Sequence, residues 1–152
     1  MKQVFKSSCM FVALALLLGL TVTANATASS NLTLADQVNA GRELFSGTCS
    51  KCHQANGGGL QDVIPPLSGS DFLNSNPRRS IGILLRGLHG NVKVNGKDFD
   101  STMPSMKLFN NDEIANVLTY VLNSWGNKGG RIDSSEVKAE RDKLTATVPA
   151  GH

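Results

Sequence analysis

A chain of 152 residues with 15 Lys+Arg against 12 Asp+Glu is one domain's worth of sequence, with a formal net charge of +3. That surplus is too small for a nucleic-acid binder, which carries a marked basic excess. Aromatic residues make up only 5% of the chain, so the side chains alone promise a modest core.

Residues 1–26 read as an export signal rather than as fold. Lys2 and Lys6 form a basic start, and an apolar run from Phe11 to Leu20 follows. Ala24-Asn25-Ala26 then fits a cleavage site, with Ala26-Thr27-Ala28 as a second possible position. This is the pattern of a secretory signal peptide, and the run is short for a membrane span. It predicts a periplasmic or otherwise exported protein with no stable membrane span after cleavage. Cys9 precedes the apolar run, whereas a lipidated cysteine would follow it. Two lysines leave with the signal, so the mature balance is 15 − 2 = 13 against 12, or +1. Residues 27–33, rich in Ser, Thr, Ala and Asn, read as a flexible leader.

The spacing of Leu34, Val38, Gly41, Leu44 and Phe45 predicts a helix from about Leu34 to Thr48. Gly41 inside that helix costs about 1 kcal/mol against Ala, which predicts close approach of another helix. Cys49-Ser50-Lys51-Cys52-His53 follows directly. Two thiols three residues apart with an adjoining histidine form a c-type haem attachment signature. Cys49 and Cys52 would form thioethers to the porphyrin vinyl groups, and His53 would ligate the iron. A structural zinc site needs four ligands, but there is no second Cys pair, and the other histidines are His89 and His152. A redox CxxC would want a βαβ setting. Two haem propionates would bring the mature charge to about −1.

Gly57-Gly58-Gly59 and Pro65-Pro66 predict a loop over Gln54–Leu73. Pro77 suits a helix start, and Arg78 to Leu88 reads as a short helix with Ile81, Leu84, Leu85 and Leu88 inward, ended by Gly87 and Gly90. Asn95-Gly96 predicts a turn or small hairpin within 91–98. Residues 101–106 read as a loop. Asn110 and Glu113 form a capping-box pattern opening a helix to about Ser124, closed by Trp125-Gly126-Asn127. Asp133 and Glu136 repeat the pattern ahead of a short helix, Ser134 to Leu144. Its thin apolar face predicts a solvated surface appendage with a frayed end. The domain boundaries are therefore 34–127 for the folded domain and 128–152 for a C-terminal tail.

One axial position on the iron is left, and its occupant decides the chemistry. A thioether closes the centre and raises its potential, while an open position permits ligand binding. Met103 and Met106 are the mature-chain methionines. Met103 precedes Pro104, which favours an extended backbone suited to a loop laid over the ring. Met106, the runner-up, suits core packing, and His89 on a glycine-flanked turn suits solvent.

The helix leading into CxxCH, Pro65-Pro66-Leu67 after a Gly-rich loop, Gly69-Ser70-Asp71, Arg86-Gly87-Leu88, Met103-Pro104 and the stretch from Thr119 to Asn127 together resemble class I cytochrome c. The resemblance covers Ala35 to Asn127. In detail the chain is similar to the cytochrome c domains associated with copper nitrite reductases and to small bacterial respiratory cytochromes. The resemblance implies an all-α fold packed around one covalently attached haem c, with Met103 as distal ligand. It also implies that the Pro65 carbonyl accepts from His53, and that Gly41 and Phe45 pack against the last helix near Val117, Tyr120 and Val121. The function implied is one-electron transfer between respiratory redox partners, such as a nitrite reductase, dehydrogenase or oxidase, and not catalysis. A cytochrome subunit of a periplasmic reductase or dehydrogenase is the alternative; a haem sensor or enzyme would need an open iron site. Lys51, Lys93, Lys97 and Lys107 are candidates either for steering partners or for ordinary surface charge.

Overall fold

The computed structural model describes residues 32–146. The signal segment with its cleavage sites, Cys9, most of the leader, and His152 with the end of the tail lie outside the described residues. Among those described, no helix is long and apolar enough to cross a membrane.

Helix α1 spans Leu34–Leu44. Thr33, assigned above to the leader, is its N-cap. The Thr33 hydroxyl accepts from the Asp36 amide, and the Asp36 carboxylate answers the Thr33 amide, which satisfies two otherwise orphaned donors. The rod does not stop at Thr48. It passes through a wide π-helical segment, Phe45–Cys49, in which the Ser50 amide reaches back to the Phe45 carbonyl. It continues as α2, Ser50–His53, and breaks at Gln54, whose φ is 62°.

Helix α5, Asn111–Leu122, crosses α1 and is capped reciprocally by Asn110 and Glu113. It ends earlier than its sequence suggests. Asn123 closes it, and Gly126 lies in the loop beyond. The crossing explains Gly41: a Cβ there would overlap the Asn116 carbonyl oxygen and the Tyr120 side chain. One turn on, Phe45 packs its ring 5.4 Å from Tyr120 and 5.0 Å from Trp125. Such tilted pairs add about 0.5–1.5 kcal/mol each beyond area burial. The buried edge of α1 is Gln37 and Gly41, continued by Phe45 of the π segment, whereas Leu34 is exposed. The Gln37 amide nitrogen donates to Thr119 Oγ1 at 3.0 Å and to the Ile132 carbonyl at 2.8 Å, which offsets part of the cost of burying it, while its Oε1 has no hydrogen-bond partner among the described residues.

Between these helices the chain lays down smaller elements. The expected loop over 54–73 already contains the start of α3, Asp71–Ser75, capped by Ser70. Asn76 then caps the next turn through Arg79, and α4 runs Arg79–Arg86. Leu88, expected as its last inward residue, instead leaves the helix and pairs with Met103. Strands β1, Asn91–Val94, and β2, Lys97–Asp100, form an antiparallel hairpin, with Val94 paired to Lys97. The two turn residues Asn95 and Gly96 have φ of 51° and 79°, as a tight two-residue hairpin turn requires. The architecture is otherwise helical.

Helix α6, Ser134–Ala146, departs from expectation. It is no free appendage. Ile132 and Val137 are 1% and 0% exposed, and Leu144 packs on the same core cluster. Glu136 and Glu140 pair with Arg78, just before α4, and with Arg86 at its end. The apolar stripe was thin in sequence because only a few residues anchor the helix.

Candidate haem site

An apolar cleft lies among these elements, with about 740 Å³ of empty volume counting the part open to solvent. Phe45, Cys49 and His53 of the first helical rod line it, followed by Pro65, Pro66 and Leu67. Helix α4 contributes Ser80, Ile83 and Leu84, the hairpin Val92 and Val94, and α5 Val117, Leu118 and Val121. Ser70, Phe72 and Leu73 around the start of α3, with Leu88 and Met103, complete the wall.

The π segment and α2 deliver the CxxCH residues. Cys49 is partly buried on the cleft wall, Cys52 is exposed, and both thiols are free. Burial, reinforced by the neighbouring Cys52, pushes the Cys49 thiol up to about 11, so as a free thiol it keeps its proton at neutral pH. His53 is 9% exposed. Its Nδ1 lies 3.3 Å from the Pro65 carbonyl oxygen. A carbonyl can only accept, so Nδ1 carries the hydrogen and Nε2 keeps its lone pair. Burial lowers the imidazole's pKa, and the Pro65 bond offsets only part of that. The ring is therefore held neutral, the form that binds metal.

Met103 is set by backbone. Its amide donates to the Leu88 carbonyl at 2.8 Å, and the Leu88 amide returns the bond at 3.0 Å. Gly87 makes this pairing possible. Its φ is +82°, and a Cβ there would sit 2.6 Å from the Met103 carbonyl oxygen. Met106 does not line the cleft; it packs on the core, with its amide donating to Leu84 at 2.6 Å. His89 is exposed and away from the cleft.

The donor set suits a c-type haem. One neutral imidazole, one thioether and one partly buried thiol share an otherwise nearly all-apolar wall, and the second thiol stands at the surface. Ser70, an exception in that wall, is occupied by accepting the Leu73 amide. An apolar macrocycle fastened along one edge matches that distribution of chemistry.

Two features went unread in the sequence. Asn127 was noted only as part of a helix ending. Its amide donates to the Leu67 carbonyl at 2.9 Å and to Val121 at 2.8 Å, while Asn74 donates to its oxygen at 3.0 Å. It thus ties the segment after Pro65 to the end of α5. A lone asparagine in Trp-Gly-Asn gives no sequence signal of that span. The lysines are also placed: Lys93 pairs with Asp98 at 3.4 Å and Lys97 with Asp62 at 2.9 Å, so half of the suggested steering set is neutralised within the molecule.

The comparisons agree with the geometry. The chain is similar to cytochrome c-552 of Thermus thermophilus, at 36% identity over 104 residues, covering 62% of this chain and 79% of that protein. It is also similar to the cytochrome c subunit of a quinone alcohol dehydrogenase from Gluconacetobacter polyoxogenes. That match is 30% identical over 125 residues and covers 79% of this chain but only 25% of the subunit. The corresponding subunit of Gluconobacter oxydans strain 621H is 27% identical over 119 residues, covering 76% of this chain and 24% of its own. The Cytochrome c family matches residues 38–125, a stretch that holds every residue lining the cleft. More than half of the chain, with the whole cleft inside it, thus places this electron-transfer protein in the cytochrome c family, whose haem c is covalently attached.

Proposed function

We propose that the chain is an exported monohaem one-electron carrier, its haem fastened by Cys49 and Cys52 and its iron held axially by His53 and Met103. The observation that supports this best is that His53 and Met103, fifty positions apart in sequence, line one apolar cleft. A haem bound there would supply one-electron chemistry. His53 presents Nε2 because Pro65 holds Nδ1–H. The Met103 thioether, a soft donor, favours the ferrous form and so raises the potential. The apolar walls keep water from the ring, which limits rearrangement when charge changes. Partners would meet it through small transient contacts.

The test is spectroscopic. Oxidised holoprotein should show the weak red-edge absorbance band of methionine-ligated ferric haem. Met103→Ala should remove that band and Met106→Ala should keep it. Loss of the band in Met106→Ala instead, or ready carbon monoxide binding by the native protein at neutral pH, overturns the ligand assignment. Export is tested by fractionation, with haem staining expected in the periplasm.

A second reading makes the chain the cytochrome component of a periplasmic dehydrogenase or reductase. It is favoured by the likeness to quinone alcohol dehydrogenase cytochrome subunits over most of this chain. Copurification with such an enzyme would select it over a free carrier. Reduction by a quinoprotein dehydrogenase, and oxidation by a nitrite reductase or a terminal oxidase, would then identify the partners.

A further inference from the structure

Arg141 projects from α6, outside the stretch shared with the family. Its guanidinium makes three hydrogen bonds. Nη1 donates to the Lys107 carbonyl at 3.0 Å, Nη2 to the Phe109 carbonyl at 2.7 Å, and Nε to Asn111 Oδ1 at 3.0 Å. All three acceptors lie on the chain that runs from Met103 into the start of α5. Charge-assisted bonds of this kind are the stronger ones, and a planar fork spends its donors without bending.

The rest of that loop is fastened elsewhere. The Phe109 amide donates to Met106 at 2.9 Å, the Met106 amide to Leu84, and Met103 is paired with Leu88. Leu84 of α4 and Leu88 just beyond it therefore hold the front of the loop, and Arg141 holds its back. Helix α6 is itself fixed at both ends of α4, through Glu136 to Arg78 just before it and through Glu140 to Arg86 at its end. The connections close into a ring: α4, the Met103 loop, Arg141, α6, and back to α4. Val137 and Leu144 already dock α6 on the core. The bonds of Arg141 thus go to the loop and to the residue opening α5, and none goes to α4.

We infer that Arg141 is a positioning residue for the Met103 side of the haem site: it fixes the loop so that the thioether stays directed at the iron. This rests on Met103 being the distal ligand. A loop held at one end only would release the thioether more often, and an added ligand would then compete better for the iron.

The test uses oxidised holoprotein and imidazole as the competing ligand. In Arg141→Ala, imidazole should bind about tenfold more tightly than in the native protein, equivalent to about 1.4 kcal/mol. The red-edge band should also fade in urea before the far-ultraviolet circular dichroism changes. Arg141→Lys, with a single point donor, should fall between. Glu140→Gln weakens the docking of α6 on α4 without touching the loop, and should leave imidazole affinity within about twofold of native. The inference is overturned if Arg141→Ala binds imidazole like the native protein, or if Glu140→Gln matches Arg141→Ala. Retention of the band in Met103→Ala would instead overturn the ligand assignment, and the positioning role with it. An unchanged band in Met106→Ala together with unchanged imidazole binding in Arg141→Ala overturns the positioning role alone.

Discussion

Gly87 carries a constraint out of proportion to its size. Its backbone lies in the left-handed region, and the space where a Cβ would go is taken by the Met103 carbonyl. Gly87→Ala must therefore either strain the turn or push the Met103 strand outwards. The two effects together should cost about 1–3 kcal/mol, read as a lower urea midpoint of the holoprotein. The red-edge band, if Met103 is the distal ligand as proposed, should weaken in parallel. At the same scale, Glu136 has opposing influences. Burial pushes its carboxyl up, but the Asp133 amide and Arg78 outweigh this and hold it below the usual 4.5. A carboxyl depressed on folding stabilises the fold fully above its unfolded value, and that contribution fades as pH falls through the folded value. The stability gap between native protein and Glu136→Gln should thus be present at neutral pH and shrink as pH falls below the ordinary carboxyl value, measured by thermal melts across that range.

Among the elements, the contact of α1 with α5 has least slack. Gly41→Ala would force a methyl group into the Asn116 carbonyl and the Tyr120 side chain. The helices must part or tilt, at a cost of about 1–3 kcal/mol or more, which a denaturant titration would register. The Phe45, Tyr120 and Trp125 cluster should loosen with it, visible as a change in Trp125 fluorescence. Helix α6 offers a contrasting case. Val137 is fully buried, and Val137→Ala should lower stability by about 1–3 kcal/mol through lost burial and the cavity left behind. A surface appendage would show almost no change. The sequence made α5 and its cap legible because Asn110, Glu113 and five apolar residues repeat a strong period. Helix α6 was underestimated because its hold comes from buried Ile132 before the helix, from Val137, and from charges whose partners lie at either end of α4. No local window contains those partners.

The haem site as a whole was readable to different depths. Cys49, Cys52 and His53 are adjacent and carry their chemistry in their spacing. Met103 could be singled out by Pro104 and by resemblance, but its bonds to Leu88 were invisible because they cross a hairpin. Gln37 and Asn127 gave no signal, since a buried amide is recognisable only when its distant carbonyls are known. The distribution of charge also became clear only in three dimensions. With Lys93 and Lys97 committed to Asp98 and Asp62, no broad basic face remains from the suggested set. Electron exchange with a partner should therefore change by less than about threefold between low and physiological salt, where strongly steered encounters fall steeply. Stopped-flow rates across that salt range would decide it, and a steep decline would restore a steering role to Lys51 and Lys107.

The wide turn at Phe45–Cys49 has a consequence for how the two halves of the rod are phased. An ordinary helix advances about 100° per residue, and the π segment lodges one residue more than the flanking spiral would. That surplus sets the angle between the face that meets α5 and the face that presents His53. Gly47 lies within that segment, with nothing near the place an added Cβ would take. Deleting it would let the rod relax into a plain helix with its two halves still nearly in phase, whereas rewinding the same segment as an ordinary helix with nothing removed would turn Cys49, Cys52 and His53 by about a quarter of a circle relative to Gly41 and Phe45. In that rewound rod the attachment string would survive letter for letter, yet its imidazole would leave the cleft. In this molecule the motif works only in register with the helix that carries it.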